Sequence, residues 1–241
     1  MRAVLCGANG AMGKLIDALL PGEIVGRVSI DGENGAARTF AELPAIDADT
    51  VIDFSHHSAI FDVVDYALRH RCAIVVGTTG HTDEEKNVIR AAARDLPVFY
   101  SGNMSLGIAV LCQLAREAAK WFPDADIEIV EVHHNRKVDA PSGTAHMLYN
   151  AIREVRPDAQ EHCGRCGEGK REKNEIGISS LRMGNVVGIH EVHICTSNQS
   201  LTLRHEAGNR AMLAEGAVDA ARFVSGKPAG LYNMDNLLEE R

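Results

Sequence analysis

No run of apolar residues in this 241-residue chain reaches the ~20 that a membrane-spanning helix needs, so no such helix is expected. The opening Met1-Arg2-Ala3-Val4-Leu5 lacks the layout of a signal peptide. A cytoplasmic protein with no membrane partner is the expectation. Positive charge is scarce: 25 Lys and Arg face 33 Asp and Glu, for a formal net charge of -8, which argues against a general nucleic-acid-binding surface. Cysteine is too sparse for a disulfide scaffold, and Cys6, Cys72, Cys112 and Cys195 lie in apolar runs, as suits a reducing compartment. Internal repeats and low-complexity segments are missing too. What remains is 45% hydrophobic and 24% charged, a globular balance, with length for one large domain or two modest ones.

The chain begins by alternating short apolar runs with helical periodicity. Ala3-Val4-Leu5-Cys6 reads as a strand ending in Gly7, and Lys14 to Leu20 as a helix. Strands follow from Ile24 to Ile30 and from Thr50 to Phe54, then a helix with a buried stripe of Ile60, Val63, Val64, Ala67 and Leu68. A strand from Ala73 to Val76, a helix from about Asp83 to Ala93 and a strand from Pro97 to Tyr100 continue the pattern. Apolar strands separated by amphipathic helices predict a parallel sheet covered on both faces. Beyond Asn103 the pattern changes. A long helix from about Leu106 to Phe122 precedes the alternating segment Asp126 to His133, where one polar face and antiparallel pairing are expected. Val186 to Thr196 and Ser200 to His205 read as a hairpin, Glu161 to Asn174 as a mobile loop, and Ala211 to Val224 as a final helix.

Cys6-Gly7-Ala8-Asn9-Gly10-Ala11-Met12-Gly13 falls at the first strand-to-helix junction, where backbone amides and the helix dipole favour a pyrophosphate. The candidate cofactor residues there are Gly7, Asn9, Gly10, Ala11, Met12 and Gly13. Asp31, at the expected end of the second strand, stands where an acidic residue would accept hydrogen bonds from the adenosine ribose. Gly32, Glu33 and Asn34 follow it, with no immediate cation for a 2'-phosphate, so NAD is acceptable. Lys14 and Arg38 keep NADP open. Gly77-Thr78-Thr79-Gly80 ends the fourth strand on the same sheet edge, which makes Gly77, Thr78 and Thr79 candidates beside the nicotinamide ribose.

The chemistry is expected in Glu131-Val132-His133-His134-Asn135-Arg136-Lys137-Val138-Asp139-Ala140-Pro141-Ser142-Gly143-Thr144-Ala145, which packs two imidazoles and two cations into five positions at the exit of a strand. Neighbouring positive charges favour proton release from such groups. Pro141 disfavours a helical residue before it, and Ser142-Gly143-Thr144 then starts a helix continuing through Ile152. A cationic cluster facing a helix start suits a small dicarboxylic acid.

The same segment resembles the E-x-H-H-x-x-K-x-D-A-P-S-G-T-A motif of the dihydrodipicolinate reductases. Further features of that family stand in order: the glycine turn, Gly77-Thr78-Thr79-Gly80, Asn103-Met104-Ser105-Leu106-Gly107, Leu181-Arg182-Met183-Gly184, Gly188-Ile189-His190-Glu191 and Gly230-Leu231-Tyr232-Asn233-Met234. The resemblance spans essentially the whole chain. It implies an N-terminal Rossmann parallel sheet that binds the dinucleotide (residues 1–104 and 208–241), with a C-terminal α+β domain for substrate binding and oligomerisation (residues 105–207). The chain crosses between them twice, and closure over the ligands is expected.

The implied reaction is the NADH- or NADPH-dependent reduction of 4-hydroxy-tetrahydrodipicolinate, through its dehydrated form, to tetrahydrodipicolinate in lysine and diaminopimelate biosynthesis. His133 would be the acid/base residue and Lys137 a proton donor at the ring nitrogen. His134, Ser142, Gly143 and Thr144 would hold the substrate, and Ser101, Gly102, Asn103 and Met104 would border the nicotinamide. The family is typically a homotetramer. Ser101-Gly102 replaces the family's usual Ala-Pro, and Lys14 follows a glycine turn that usually contains Arg. The alternatives are another amino-acid-type NAD(P) dehydrogenase on the same fold, or a nucleotide sensor without catalysis. No metal is expected, and Cys163 and Cys166 read as an incidental pair on the loop.

Overall fold

The computed structural model describes residues 1–241, and the chain divides into two compact units, Met1–Leu106 with Ala211–Arg241, and Gly107–Arg210. In the first unit β1 (Ala3–Cys6), β2 (Ile24–Val28), β3 (Thr50–Asp53), β4 (Ala73–Val76) and β5 (Pro97–Tyr100) form a parallel sheet in the order β2-β1-β3-β4-β5. Every residue of β1, β3 and β4 is buried, as strands covered on both faces require. The cover comes from α1 (Ala11–Leu19), α2 (Ile60–His70) and α3 (Asp83–Ala92), the last begun by a capping box between Thr82 and Glu85. The chain order reverses at β1, with β2 on one side and β3 on the other, so the carboxyl ends of these strands flank the crevice where such sheets bind ligands.

Two expectations need correction here. The second strand stops at Val28, and Ile30 is 92% exposed in the turn beyond it. In α2 the buried set takes in Tyr66 rather than Leu68, because the Tyr66 ring packs against Phe40 and stacks on His70.

The second unit is two-layered. The helix α4 (Leu106–Trp121) leads into β6 (Asp126–His133), whose buried positions alternate as Ile127, Ile129, Glu131 and His133. Next come α5 (Gly143–Arg153), β7 (Gln160–Cys163), β8 (Glu175–Arg182), β9 (Ile189–Cys195) and β10 (Ser200–Glu206), giving a sheet in the order β10-β9-β6-β8-β7. Ile108, Leu111 and Ala115 of α4 and Leu148 and Ile152 of α5 cover one sheet face over Ile127, Ile129, Ile176, Ile178, Val192 and Ile194.

The sheet is mixed, not antiparallel throughout: β6 runs parallel to β8 and antiparallel to β9. The helix α5 lies between β6 and the next strands, and such a crossover returns the chain in the same direction. Glu161 to Cys163, expected in the loop, belong to the edge strand β7. The rest of that loop is tied down by Arg171, which bonds Glu128, Asp126 and the Glu175 carbonyl. The expected hairpin is present as β9 and β10.

The chain then returns to the first unit through α6 (Ala211–Val224). A strand at Gly230–Tyr232 pairs in parallel with β5, and α7 (Met234–Glu239) ends the fold.

Candidate active site

At the sheet edge of the first unit, Gly7 adopts φ +82, and a Cβ there would lie 2.1 Å from the Phe54 carbonyl oxygen. A Cβ at Gly13 would lie 2.2 Å from the Gly7 carbonyl oxygen. Only glycine lets this turn fold so tightly onto α1, whose first turn carries neither an acidic residue nor a side-chain cap. Its amides are thus presented to an anion. Gly7, Asn9, Gly10 and Asp31 wall one cavity of about 530 Å³ together with Ile30, Arg38, Phe40, Phe54 and His56. Asn9 Nδ2 donates to Asp31 Oδ1 at 2.6 Å, and the Glu33 N–H reaches the same oxygen at 3.1 Å. These donors, Asn9 foremost, hold the Asp31 carboxyl below its usual range.

Ala11 and Met12 lie in the first turn of α1. Gly77, Thr78 and Thr79 follow β4, and Ser101 to Met104 follow β5, at the same carboxyl edge but outside the cavity wall. Gly77 is required by the Phe54 ring, which a Cβ would meet at 2.1 Å. Thr78 is buried and accepts from the Ser55 N–H at 2.9 Å. Met104 is 2% exposed and its carbonyl packs on Gly216, so it is core and not a surface that a ligand meets. The Cys6 thiol in the cavity wall, pushed up to about 12 by burial and by Asp53, stays protonated.

In the second unit the histidine segment surrounds a buried carboxylate. Glu131 is fully buried, and burial would raise its carboxyl, but the hydrogen bonds from Arg182 and His133 prevail and lower it. His133 Nδ1 lies 2.5 Å from Glu131 Oε2, and the Arg182 guanidinium spans both carboxylate oxygens at 2.8 and 2.9 Å. The Ser142 N–H donates to Glu131 Oε1 at 3.1 Å. Ser142 Oγ caps α5 by accepting from the Ala145 N–H at 3.2 Å and lies 3.3 Å from His190 Nε2. Ser142 is therefore committed to starting the helix, while a Cβ at Gly143 would meet nothing within 4 Å, which leaves the helix start open.

Lys137 Nζ pairs with Asp139 at 2.7 Å, an anionic partner that the cation-rich reading of this segment overlooked. Burial, then Arg136 and Arg210, lower the His134 imidazole, so it is neutral near pH 7. His190, buried beside His133, is pushed down to about 4 by burial first and His133 second.

The structure thus assembles His133, Ser142 and the start of α5 around Glu131, with Lys137 held by its own carboxylate. Glu131, Arg182 and His190 are the groups that reading single residues missed. A signal for Glu131 was present: in the alternation of β6 it shares the face of Ile127 and Ile129, and a buried carboxylate demands donors. Cys163 Sγ bonds the Glu161 carboxylate at 2.9 Å, and no group of three or more His, Cys, Asp or Glu is arranged to hold a metal ion.

A glycine turn with room only for backbone, opening on uncapped helix amides at the reversal point of a parallel sheet, is the arrangement of the NAD(P)H-dependent oxidoreductases. Comparison with known proteins narrows the class. Family models for the N-terminus and the C-terminus of dihydrodipicolinate reductase match residues 1–104 and 107–238. The chain belongs to the dihydrodipicolinate reductase family.

It is 40% identical to the 4-hydroxy-tetrahydrodipicolinate reductase of Caldanaerobacter subterraneus subsp. tengcongensis, over 100% of this chain and 99% of that one. Identity to the enzyme of the same name from Clostridium tetani is 38%, over 99% and 97% of the two chains. Among solved structures, dipicolinate-bound dihydrodipicolinate reductase from Paenisporosarcina sp. TG-14 superposes with a TM-score of 0.76 at 25% identity, covering 98% of each chain. The alternatives of another dehydrogenase or a nucleotide sensor gain no support from these matches.

Proposed function

We propose that this chain reduces 4-hydroxy-tetrahydrodipicolinate, through its dehydrated form, to tetrahydrodipicolinate, a step of lysine and diaminopimelate biosynthesis. The observation that carries this reading is the grouping of His133, Lys137 and the open start of α5 in the second unit of a chain whose solved relative binds dipicolinate, a ring dicarboxylate. The first-turn amides at Gly143 and Thr144 hold one substrate carboxylate, with Ser142 ordering them as the cap. His134, neutral near pH 7, bonds the substrate. Lys137, oriented by Asp139, donates a proton at the ring nitrogen, and His133 serves as the acid/base group. Protonation at nitrogen prevents negative charge from building in the ring as it is reduced.

The glycine turn, Asp31 and the segments Gly77–Thr79 and Ser101–Asn103 hold the nicotinamide cofactor, which supplies the hydride when bound. The Asp31 carboxylate serves the ribose hydroxyls of NADH. The Arg38 side chain lies against Gly32, where a Cβ would come within 2.9 Å of its Cγ and Nε. Arg38 lines the same cavity, and its guanidinium serves the 2'-phosphate of NADPH, so both cofactors are used.

The enzyme acts in the cytoplasm, in keeping with six cysteines that form no disulfide. It assembles as a homotetramer through its second unit, a reading supported by the exposed apolar residues Leu114, Trp121 and Leu201 beside the edge strand β10. No helix is long and apolar enough to cross a membrane.

The test is the loss of reduced cofactor absorbance with substrate generated in place from pyruvate and aspartate semialdehyde, using NADH and NADPH side by side. Turnover with both is expected. Bound cofactor without turnover would refute the assignment.

A further inference from the structure

We propose that Glu131 is a positioning residue: a single buried carboxylate that sets the tautomer and orientation of His133 and, through the same group, the place of the α5 helix start. This rests on the roles proposed above for His133 and α5. The case begins with a count of donors and acceptors. An ionised carboxylate has about four lone-pair sites and no donor. Glu131 Oε1 accepts from Ser142 N and Arg182 Nη2, and Oε2 from Arg182 Nη1 and His133 Nδ1, with the Ser180 hydroxyl a further partner of the carboxylate, so no lone-pair site is left over.

A backbone amide and a guanidinium can only donate. The imidazole, like the Ser180 hydroxyl, could play either part, and facing a carboxylate it must donate. The neutral ring is thereby the Nδ1–H tautomer, with its Nε2 lone pair on the side where Gly188 leaves room: a Cβ there would stand 3.2 Å from Nε2. Arg182 extends the arrangement, because the same guanidinium donates to the Asp139 carbonyl at 2.6 Å, in the segment that carries Lys137. One carboxylate thus ties together the acid/base group, the helix start and, one residue removed, the lysine segment. Stability alone does not account for it, since a buried ion pair adds little over well-packed apolar side chains, and Ile127 and Ile129 fill the same face of β6.

Glu131→Gln separates positioning from mere folding. An amide in place of the carboxylate must turn its NH2 group to the place of one oxygen: at Oε1 it would meet Ser142 N and Arg182 Nη2, neither of which can accept, whereas at Oε2 the imidazole can respond by becoming an acceptor. His133 should then switch to the Nε2–H tautomer. The experiment is 15N NMR of histidine-labelled protein, with His133 assigned by loss of its signals in His133→Asn, alongside steady-state kinetics and NADH titration. Wild type should show Nδ1–H and Glu131→Gln Nε2–H. The variant's kcat should fall about 100-fold, in the range seen when groups orienting an active-site histidine are removed, with NADH affinity within twofold of wild type.

A kcat within threefold of wild type would overturn the proposal, and so would a kcat loss with the tautomer unchanged, which would leave Glu131 a structural role only. Should Glu131→Gln fail to fold, the wild-type spectrum and Glu131→Asp decide. Asp keeps the charge but is too short for all four donors, so Nδ1–H with a reduced kcat is expected. A wild-type Nε2–H tautomer, or full activity in Glu131→Asp, would overturn the inference. Wild-type protein that turns over no substrate would count against the proposed function instead, while its tautomer would still test the positioning.

Discussion

The two units offer binding groups to anions by opposite means. At the sheet edge of the first unit the groups are backbone amides, exposed because Gly7 and Gly13 carry no Cβ, and few charged side chains take part. In the second unit the groups are side chains, each held by a partner: His133 by Glu131 two positions before it on β6, and, from other stretches of chain, Glu131 by Arg182 and Ser142 by His190. Backbone geometry suits a ligand part that need only be held. Side chains with paired charges suit one that must also exchange protons.

The largest expected effect tests the side-chain half. Lys137→Ala should lower kcat by about 100-fold or more, as loss of a proton donor does, with NADH affinity unchanged because the residue lies in the second unit. Steady-state kinetics with a fluorescence titration of NADH would check it, and an equal loss of nucleotide binding would break the division between the units.

Gly13→Ala tests the backbone half. Its Cβ would press on the Gly7 and Ala8 carbonyl oxygens at 2.2 and 2.7 Å, so NADH and NADPH affinity should fall together by about tenfold, with a stability loss of about 1–3 kcal/mol. Unaltered affinity in that variant would show that the tight turn is not what presents the amides.

The smallest effect sharpens the comparison through pH. His190 is pushed down to about 4 in the folded chain from an unfolded value of 6.5. Between those values the unfolded chain takes up a proton that the folded chain refuses. Stability from this group is therefore complete above pH 6.5 and declines as pH falls, by up to about 1.4 kcal/mol per pH unit. Denaturant midpoints at pH 7 and pH 5 should show this slope in the wild type and lose most of it in His190→Gln. An unchanged slope would mean that His190 is not held neutral.

How much of this was legible in the chain follows the same division. The tight turn at Gly7 and Gly13 was readable because it is a local object, with its determinants a few positions apart between a strand and a helix. The motif from Glu131 to Ala145 was readable as chemistry for the same reason. The parallel β6–β8 pairing was not, since alternation marks a half-buried strand without naming its neighbour. The exposure of Ile30 and the burial of Tyr66 likewise depend on what packs against them.

Composition, apolar periodicity and the two local motifs by themselves determined the class of fold and the family, because each is written in residues that are neighbours along the chain. The tertiary structure alone decided which donors meet Glu131. Arg182 lies 51 positions from it, and His190 lies 48 positions from the Ser142 it bonds. A buried carboxylate takes its partners from whichever strands the sheet brings beside it, and that order is settled only when the α4 and α5 faces close over the core.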